Sequence, residues 1–151
     1  MGVEVIITDP NNSDFLLLTG LLDKELSERY GEQQQQYTKH NQVTTMIDVV
    51  IVYKDKLPVA CGAFKKHGPD AAEIKRVFVR AEYRGQGLSK SVMNKLEERI
   101  QSAGFTYAVL ETGIKQPEAI QLYKKCGYEI TENYEPYIGY ENSVCMRKAL
   151  S

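Results

Sequence analysis

The stretch Glu73–Lys90, EIKRVFVRAEYRGQGLSK, places three conformational demands on eighteen residues. Ile74, Val77, Phe78 and Val79 lie in a run of β-branched and aromatic residues, which predicts a strand. Arg84-Gly85-Gln86-Gly87 breaks it. Two glycines so close together admit backbone angles that other residues resist, and they let another group come near the main chain. From Leu88 the period changes. Leu88, Val92, Leu96 and Ile100 recur every four residues with Met93 beside them, so one face of a helix is apolar. A strand, a glycine turn and a helix in succession commit the chain to an α/β arrangement. The first amides of such a helix have no carbonyl to reach and all point one way. Together with the helix dipole they form an anion site, suited best to a phosphate.

The spacing narrows the choice of phosphate ligand. A dinucleotide fingerprint, G-x-G-x-x-G, needs a third glycine where Lys90 stands. A P-loop ends in Lys-Ser, which Lys90-Ser91 supply, but Arg84 and Ser89 occupy its two glycine positions. The pattern that is met is R-x-x-G-x-small, through Arg84, Gly87 and Ser89. It resembles the signature of the GNAT acyltransferase superfamily, (Gln/Arg)-x-x-G-x-(Gly/Ala), from which Ser89 departs while remaining small. A second block, Leu122-Tyr123-Lys124-Lys125-Cys126-Gly127-Tyr128, is similar to the L-Y-x-x-x-G-(Phe/Tyr) segment of many of these enzymes, and its spacing from Arg84 is as expected. Glu111-Thr112-Gly113, Gln116-Pro117-Glu118-Ala119-Ile120 and Asn133-Tyr134-Glu135-Pro136-Tyr137 resemble a bacterial subgroup of small-molecule N-acetyltransferases. The resemblance runs from about Val59 to Lys148; before it, only the strand–helix order matches.

Composition excludes several other classes. The 151 residues are the size of one domain, 1–151, and no linker or internal repeat divides them. A formal net charge of −1 provides no basic field for nucleic acid. No apolar run approaches the length that spans a bilayer, so no membrane partner is expected. No basic region precedes an apolar one at the start of the chain, so a cytoplasmic location is expected. Cys61, Cys126 and Cys145 are odd in number and lie in apolar patterns, which suits free, mostly buried thiols. His40 and His67 are isolated, and no metal site is expected.

The remaining elements follow in order. Val3–Thr8 alternates and predicts a first strand. Asn11, Asn12 or Ser13 can cap a helix running to about Tyr30, with Phe15, Leu18, Leu22 and Leu26 on one face, Leu17 and Leu21 beside it, and Gly31 as its stop. Gln33–Gln36 reads as a solvated helix or loop, or as one wall of an acceptor pocket. Asp48–Tyr53 and Leu57–Lys65 form a hairpin around Lys54-Asp55-Lys56, and His67-Gly68-Pro69-Asp70 is the next turn. The helix from Leu88 ends near Ala103, and a strand follows over Tyr107–Leu110, parallel to the one before the glycine turn. Pro117 opens another helix, with Ala119, Ile120, Tyr123 and Cys126 facing inward. Tyr128–Glu132 and Ser143–Lys148 are the last strands, joined by a tyrosine-rich loop.

The resemblance implies a GNAT fold: a mixed, mostly antiparallel sheet of about seven strands, helices on both faces, and a bulged central strand splayed from its neighbour. It also implies acetyl-CoA as cosubstrate and a small-molecule amine as acceptor. The amides from Arg84 through Gly85, Gln86, Gly87 and Leu88 to Ser89 would hold the pyrophosphate, with charge from Arg84. Backbone groups of Val77, Phe78 and Val79 would pair with pantetheine, and one of their amides could face the thioester oxygen. Gln116 stands where the family often has Asn, and would reach the cofactor through its amide. Tyr123 matches the tyrosine near the cofactor sulfur and would donate a proton to the leaving thiolate. Glu73, Glu111 or an ordered water chain would take the amine's proton. Arg76 would either hold an acceptor carboxylate or pair with Glu73 or Glu111. Tyr134, Tyr137 and Tyr140 would either wall the acceptor site or pack on the sheet. The alternative function is a degenerate domain that binds acetyl-CoA as a sensor without catalysis. Homodimers are common in the superfamily, and no residue here decides for or against one.

Overall fold

Among the described residues seven strands form one sheet. The structure, a computed structural model, describes residues 2–31 and 46–150. The tract Gln33–Gln36 and His40 lie outside the described residues. In chain order the elements are β1 (Val3–Thr8), α1 (Ser13–Tyr30), β2 (Asp48–Lys54), β3 (Leu57–His67), β4 (Ala71–Val79), a 3-10 turn at Ala81–Tyr83, α2 (Leu88–Ser102), β5 (Tyr107–Gly113), α3 (Pro117–Lys125), β6 (Glu129–Thr131) and β7 (Ser143–Ala149). The sheet order is β1-β2-β3-β4-β5-β7-β6, and among the described residues only β4 and β5 run parallel, every other neighbouring pair being antiparallel. The expected α/β fold with a mixed, mostly antiparallel sheet is the one observed. Among the described residues no helix is long and apolar enough to cross a membrane.

Local chemistry sets the element ends. Asn12 caps α1: its Oδ1 accepts from the amides of Asp14 at 2.8 Å and Phe15 at 3.1 Å. Asp55 and Lys56 both take positive φ, 50° and 70°, the tight two-residue turn that matches the twist of a hairpin. β5 runs to Gly113, three residues beyond the expected Leu110, because β7 pairs with it as far as Gly113↔Ser143.

The two faces of the sheet are covered differently. On one, α2 buries Leu88, Val92, Met93, Leu96 and Ile100 against Val50, Val52, Phe64 and Ile74. α3 adds Ala119, Leu122, Tyr123 and Cys126 to that core, so Leu122 takes the place expected of Ile120. On the other face, Phe15, Leu18 and Leu22 of α1 pack on Val49, Ile51, Cys61, Ala63 and Phe78. Leu17, expected beside that stripe, is exposed. Beyond α1 the same face carries the loop 132–142, whose Tyr137 is buried with Cys145. Cys61 and Cys145 are buried thiols and Cys126 a half-buried one.

β4 is the irregular strand on which the site depends. Ala63 pairs with Lys75 but Cys61 pairs with Phe78, so β4 carries one residue more than β3 over this span. The extra residue falls at Arg76–Val77, and Arg76 takes φ 61°. A bulge of this kind bends its strand and sharpens the twist. On its other edge β4 pairs with β5 only from Ala71↔Tyr107 to Ile74↔Leu110. After Ile74 the two strands part. Gly62 faces the bulge from β3, and a Cβ there would lie 2.7 Å from Val92 Cγ1 and 2.8 Å from Leu96 Cδ1. α2 therefore rests directly on the sheet at this point.

Candidate acyl-transfer site

The bulged strand runs straight into the glycine turn. Gly85 and Gly87 both take φ 80°, a left-handed conformation that disfavours a side chain, and no other atom lies within 4 Å of where a Cβ would stand. The Ser91 amide donates to Gly87 O at 3.1 Å, the first bond of the helical ladder. The amides ahead of it lie at the open, positive end of a fifteen-residue helix. Leu88 is buried in the core, so only its backbone is offered to a ligand, and Ser89 is half-buried. Arg84 is anchored by Nε donating to Val79 O at 2.9 Å, and its Nη2 donates to Glu25 Oε2 at 2.7 Å. Gln86 Oε1 accepts from Lys54 Nζ at 2.9 Å.

Where β4 and β5 part, a cleft of about 120 Å³ opens. Tyr30, Arg76, Glu111, Gln116, Tyr123 and Asn142 are among its walls. Tyr30, on the last turn of α1, was not anticipated as a wall. Its hydroxyl lies where a Cβ on Gly113 would come within 1.6 Å, and it accepts from the Lys115 amide at 3.2 Å. A glycine at the end of a strand was the available signal, but it does not say which side chain fills the space. Gln116 Oε1 accepts from the Gly113 amide at 3.2 Å, holding the β5–α3 turn. Tyr123 is buried, its ring 6.2 Å from that of Tyr128 in an edge-on arrangement. Burial, then the neighbouring Cys126 and Glu111, hold its hydroxyl well above the ordinary tyrosine range, so it stays protonated.

Glu73 and Lys75 alternate onto the α1 face of β4, and Glu111 faces the same way from β5. Glu73 is 1% exposed. Its Oε2 accepts from Tyr134 OH at 2.8 Å and lies 3.8 Å from Lys75 Nζ. Lys75 Nζ in turn donates to Tyr137 OH at 2.6 Å. Burial lowers the lysine's pKa, opposed by Glu73 and Glu111. Tyr137 is 1% exposed and lies behind the cleft, so of the two alternatives for this residue it takes packing rather than a wall. The Tyr134 ring lies tilted against His67 at 4.4 Å and edge-on to Tyr137 at 5.6 Å. Burial pushes Glu111 up to about 7, against a hydrogen bond with Ser143 and the attraction of Lys75.

Arg76 points toward α1. Its Nη2 donates to Thr19 O at 3.0 Å and Asp23 Oδ1 at 2.8 Å, so its acidic partner is Asp23 and neither Glu73 nor Glu111. Its buried Nε has no hydrogen-bond partner among the described residues. Among those residues, no group of three His, Cys, Asp or Glu side chains is placed to hold a metal ion.

A parallel pair that parts beside a glycine turn, with a helix start aimed at the gap, defines an acyltransferase-type α/β fold. Residues 15–128 match the family model described as Acetyltransferase (GNAT) family, and the chain belongs to that family. The IAA acetyltransferase of Azospirillum brasilense is 32% identical over 93 residues, 61% of this chain and 61% of that protein. An uncharacterised N-acetyltransferase of Bacillus subtilis, YsnE, is 32% identical over 92 residues, 60% of this chain and 61% of its own. These matches thus span about three-fifths of the relatives' length. A GNAT acetyltransferase from Elizabethkingia anophelis, solved with acetyl-CoA bound, has the same fold at a TM-score of 0.69 and 16% identity, covering 99% of each chain.

Proposed function

We propose that residues 1–151 act as one domain that moves an acetyl group from acetyl-CoA to the amine of a small-molecule or amino-acid-like acceptor, with both substrates bound together. The observation that carries this reading is the parting of β4 from β5 after Ile74, beside the open glycine turn. The acetyl-CoA bound in the Elizabethkingia relative's structure supports the choice of cosubstrate. The residues fit that molecule. The amides of Arg84–Ser89 offer donors to a pyrophosphate at a helix start. Arg84 adds charge by exchanging Glu25 for a phosphate oxygen. The unpaired edge of Val77, Phe78 and Val79 offers backbone groups to pantetheine. Gln116 borders the same gap from the far side.

Acetyl-CoA supplies a thioester carbonyl and a thiol leaving group. A β4 amide beside the bulge stabilises the developing oxyanion. Tyr123 OH gives its proton to the departing sulfur, and Glu73 or Glu111 relieves the acceptor ammonium of its own. Arg76 and Tyr134 border the acceptor side. Because a thiol with pKa near 8.5 leaves readily without help, Tyr123→Phe should lower kcat only about tenfold to a hundredfold, at or below the bottom of the usual general-acid range. Affinity for acetyl-CoA, read by calorimetry, should not change. A silent Tyr123→Phe removes the proton-donor role.

The test is thermal melting with acetyl-CoA, CoA, ATP and NAD in parallel, followed by thiol release across a panel of amines and amino acids. Ligand at a hundred times Kd should add about 2.7 kcal/mol, a rise of about 5–10 °C for a domain of this size. Stabilisation by the CoA species alone, with thiol release for some amine, is the expected result. Stabilisation without release from any acceptor favours a sensor module. No stabilisation by acetyl-CoA overturns the reading.

A further inference from the structure

The two glutamates of the cleft have unequal surroundings. Glu73 is enclosed: Tyr134 OH donates to it at 2.8 Å, Lys75 Nζ lies 3.8 Å away, and that ammonium holds Tyr137 OH at 2.6 Å. With 1% of its surface exposed, Tyr134 OH on its Oε2 and the Lys75 cation beside it, Glu73 is poorly reached by an acceptor ammonium. What it holds instead is the loop 132–142, through Tyr134, and the strand just before the bulge, through Lys75. Both glutamates line the cleft, but Glu111 stands beside the point where β4 and β5 part, and it retains some solvent exposure. Its hydrogen-bond partner is Ser143 on β7.

We propose that Glu111 is the group that takes the acceptor's proton, and that Glu73 with Lys75 is a positioning pair that fixes the tyrosine loop and sets the field at Glu111. This deepens the transferase reading and rests on it. The step balances as follows. The acceptor R–NH₃⁺ gives one proton to a Glu111 carboxylate oxygen. The freed nitrogen pair forms the C–N bond as the C–S bond breaks. The sulfur pair takes the Tyr123 hydroxyl proton, and the second nitrogen proton restores Tyr123. Amide and thiol leave, and Glu111 releases its proton to water.

The charged and titratable groups around Glu111 come from every side. They are Glu73 and Lys75 on β4, Tyr123 on α3, Cys145 on β7 and Tyr137 of the loop, with Arg76, whose charge is paired with Asp23, and Tyr30 of α1 lining the same cleft. Tyr123, Tyr137 and Cys145 all have pKa values raised by burial and stay neutral near pH 7. Glu73 and Lys75 therefore govern the field. The negative Glu73 makes Glu111 easier to protonate, and the positive Lys75 makes it harder.

The experiment is the pH profile of kcat/KM for the wild type and three variants, with acetyl-CoA affinity measured in each as a check on folding. The wild-type rate should rise with pH through about 7 as Glu111 loses its proton. Glu111→Gln should lose about a hundredfold or more in kcat and lack this acid limb, since general-base help is worth at least that. Glu73→Gln should keep the limb but move it to lower pH, and Lys75→Met should move it to higher pH. A merely structural role for the pair would leave the limb in place. The assignment is overturned if Glu111→Gln keeps the limb, if Glu73→Gln alone abolishes it, or if both neighbours leave it unmoved. A variant that loses acetyl-CoA affinity is replaced by a carboxylate ¹³C NMR titration of the wild type, in which a Glu111 pKa below about 5 (the unperturbed range for a carboxyl) overturns the assignment. A wild type that binds acetyl-CoA yet acetylates no acceptor overturns the transferase reading itself, a result distinct from any of these.

Discussion

Gly62→Val is expected to destabilise the protein by about 2–3 kcal/mol, toward the upper end for overpacking a filled core. That corresponds to a melting temperature lower by about 5–10 °C. The cause is specific. The first added carbon would stand 2.7 Å from Val92 Cγ1, 2.8 Å from Leu96 Cδ1 and 3.3 Å from Val77 Cγ2. All three residues belong to the face of the sheet that α2 covers, and none is at the flexible end of a long side chain. The helix must lift. Since α2 begins at the glycine turn, lifting it also displaces the amides aimed at the gap between β4 and β5, so acetyl-CoA affinity should fall alongside stability. Thermal melting and calorimetry on the same sample check both. A Gly62→Val protein as stable as the wild type would mean that α2 does not lie on the bulge as closely as described.

Gly87→Val should weaken acetyl-CoA by about a hundredfold while lowering the melting temperature by no more than about 2–8 °C. Space is not the obstacle, because nothing lies within 4 Å of the position a Cβ would take. The obstacle is φ 80°, which costs a β-branched residue at least about 1–2 kcal/mol. The strain is relieved by rotating the backbone, which turns the neighbouring amides away. Hydrogen bonds to a charged group are worth about 1.5–3 kcal/mol each, and about 1.4 kcal/mol is tenfold in Kd. Losing one or two such donors accounts for the factor. Calorimetric titration with acetyl-CoA and with CoA should show the same loss for both, because the change concerns the pyrophosphate and not the acetyl group. Unaltered affinity would remove the turn from the binding site.

The parts of this fold that could be read from the sequence are those governed by a short-range rule. Asn12 capping α1, the four-residue apolar rhythm from Leu88 to Ile100, the glycine turn and Pro117 at the start of α3 each express themselves within a few residues. What could not be read depends on partners distant in the chain. The bulge sits at Arg76, a residue that gives no local sign of a positive φ; its guanidinium is held by Thr19 and Asp23, more than fifty residues earlier. The tyrosines of the loop have the same type and spacing whether they wall a pocket or close over a buried lysine. Only the register of β5 with β7 decides that Tyr137 lies beside Cys145 and reaches Lys75. Leu122 joins the core where Ile120 was expected, next to the edge-on pair of Tyr123 and Tyr128. The two candidate glutamates were equivalent in the sequence, since both stand near strand ends. They differ only in what the folded chain places around them.

The insertion of β7 between β5 and β6 imposes an order on synthesis. β6 has β7 as its neighbour in the sheet, so as the chain leaves the ribosome it has nothing to pair with until Ser143–Ala149 arrive. Until then β5 also presents an open edge, and Glu111 lacks Ser143. The β4 bulge and the glycine turn are synthesised long before that strand. The cleft wall that carries Glu111 is therefore the last part of the sheet to be completed, and a chain ending before Ser143 would lack both the strand that β6 pairs with and the hydrogen bond to Glu111.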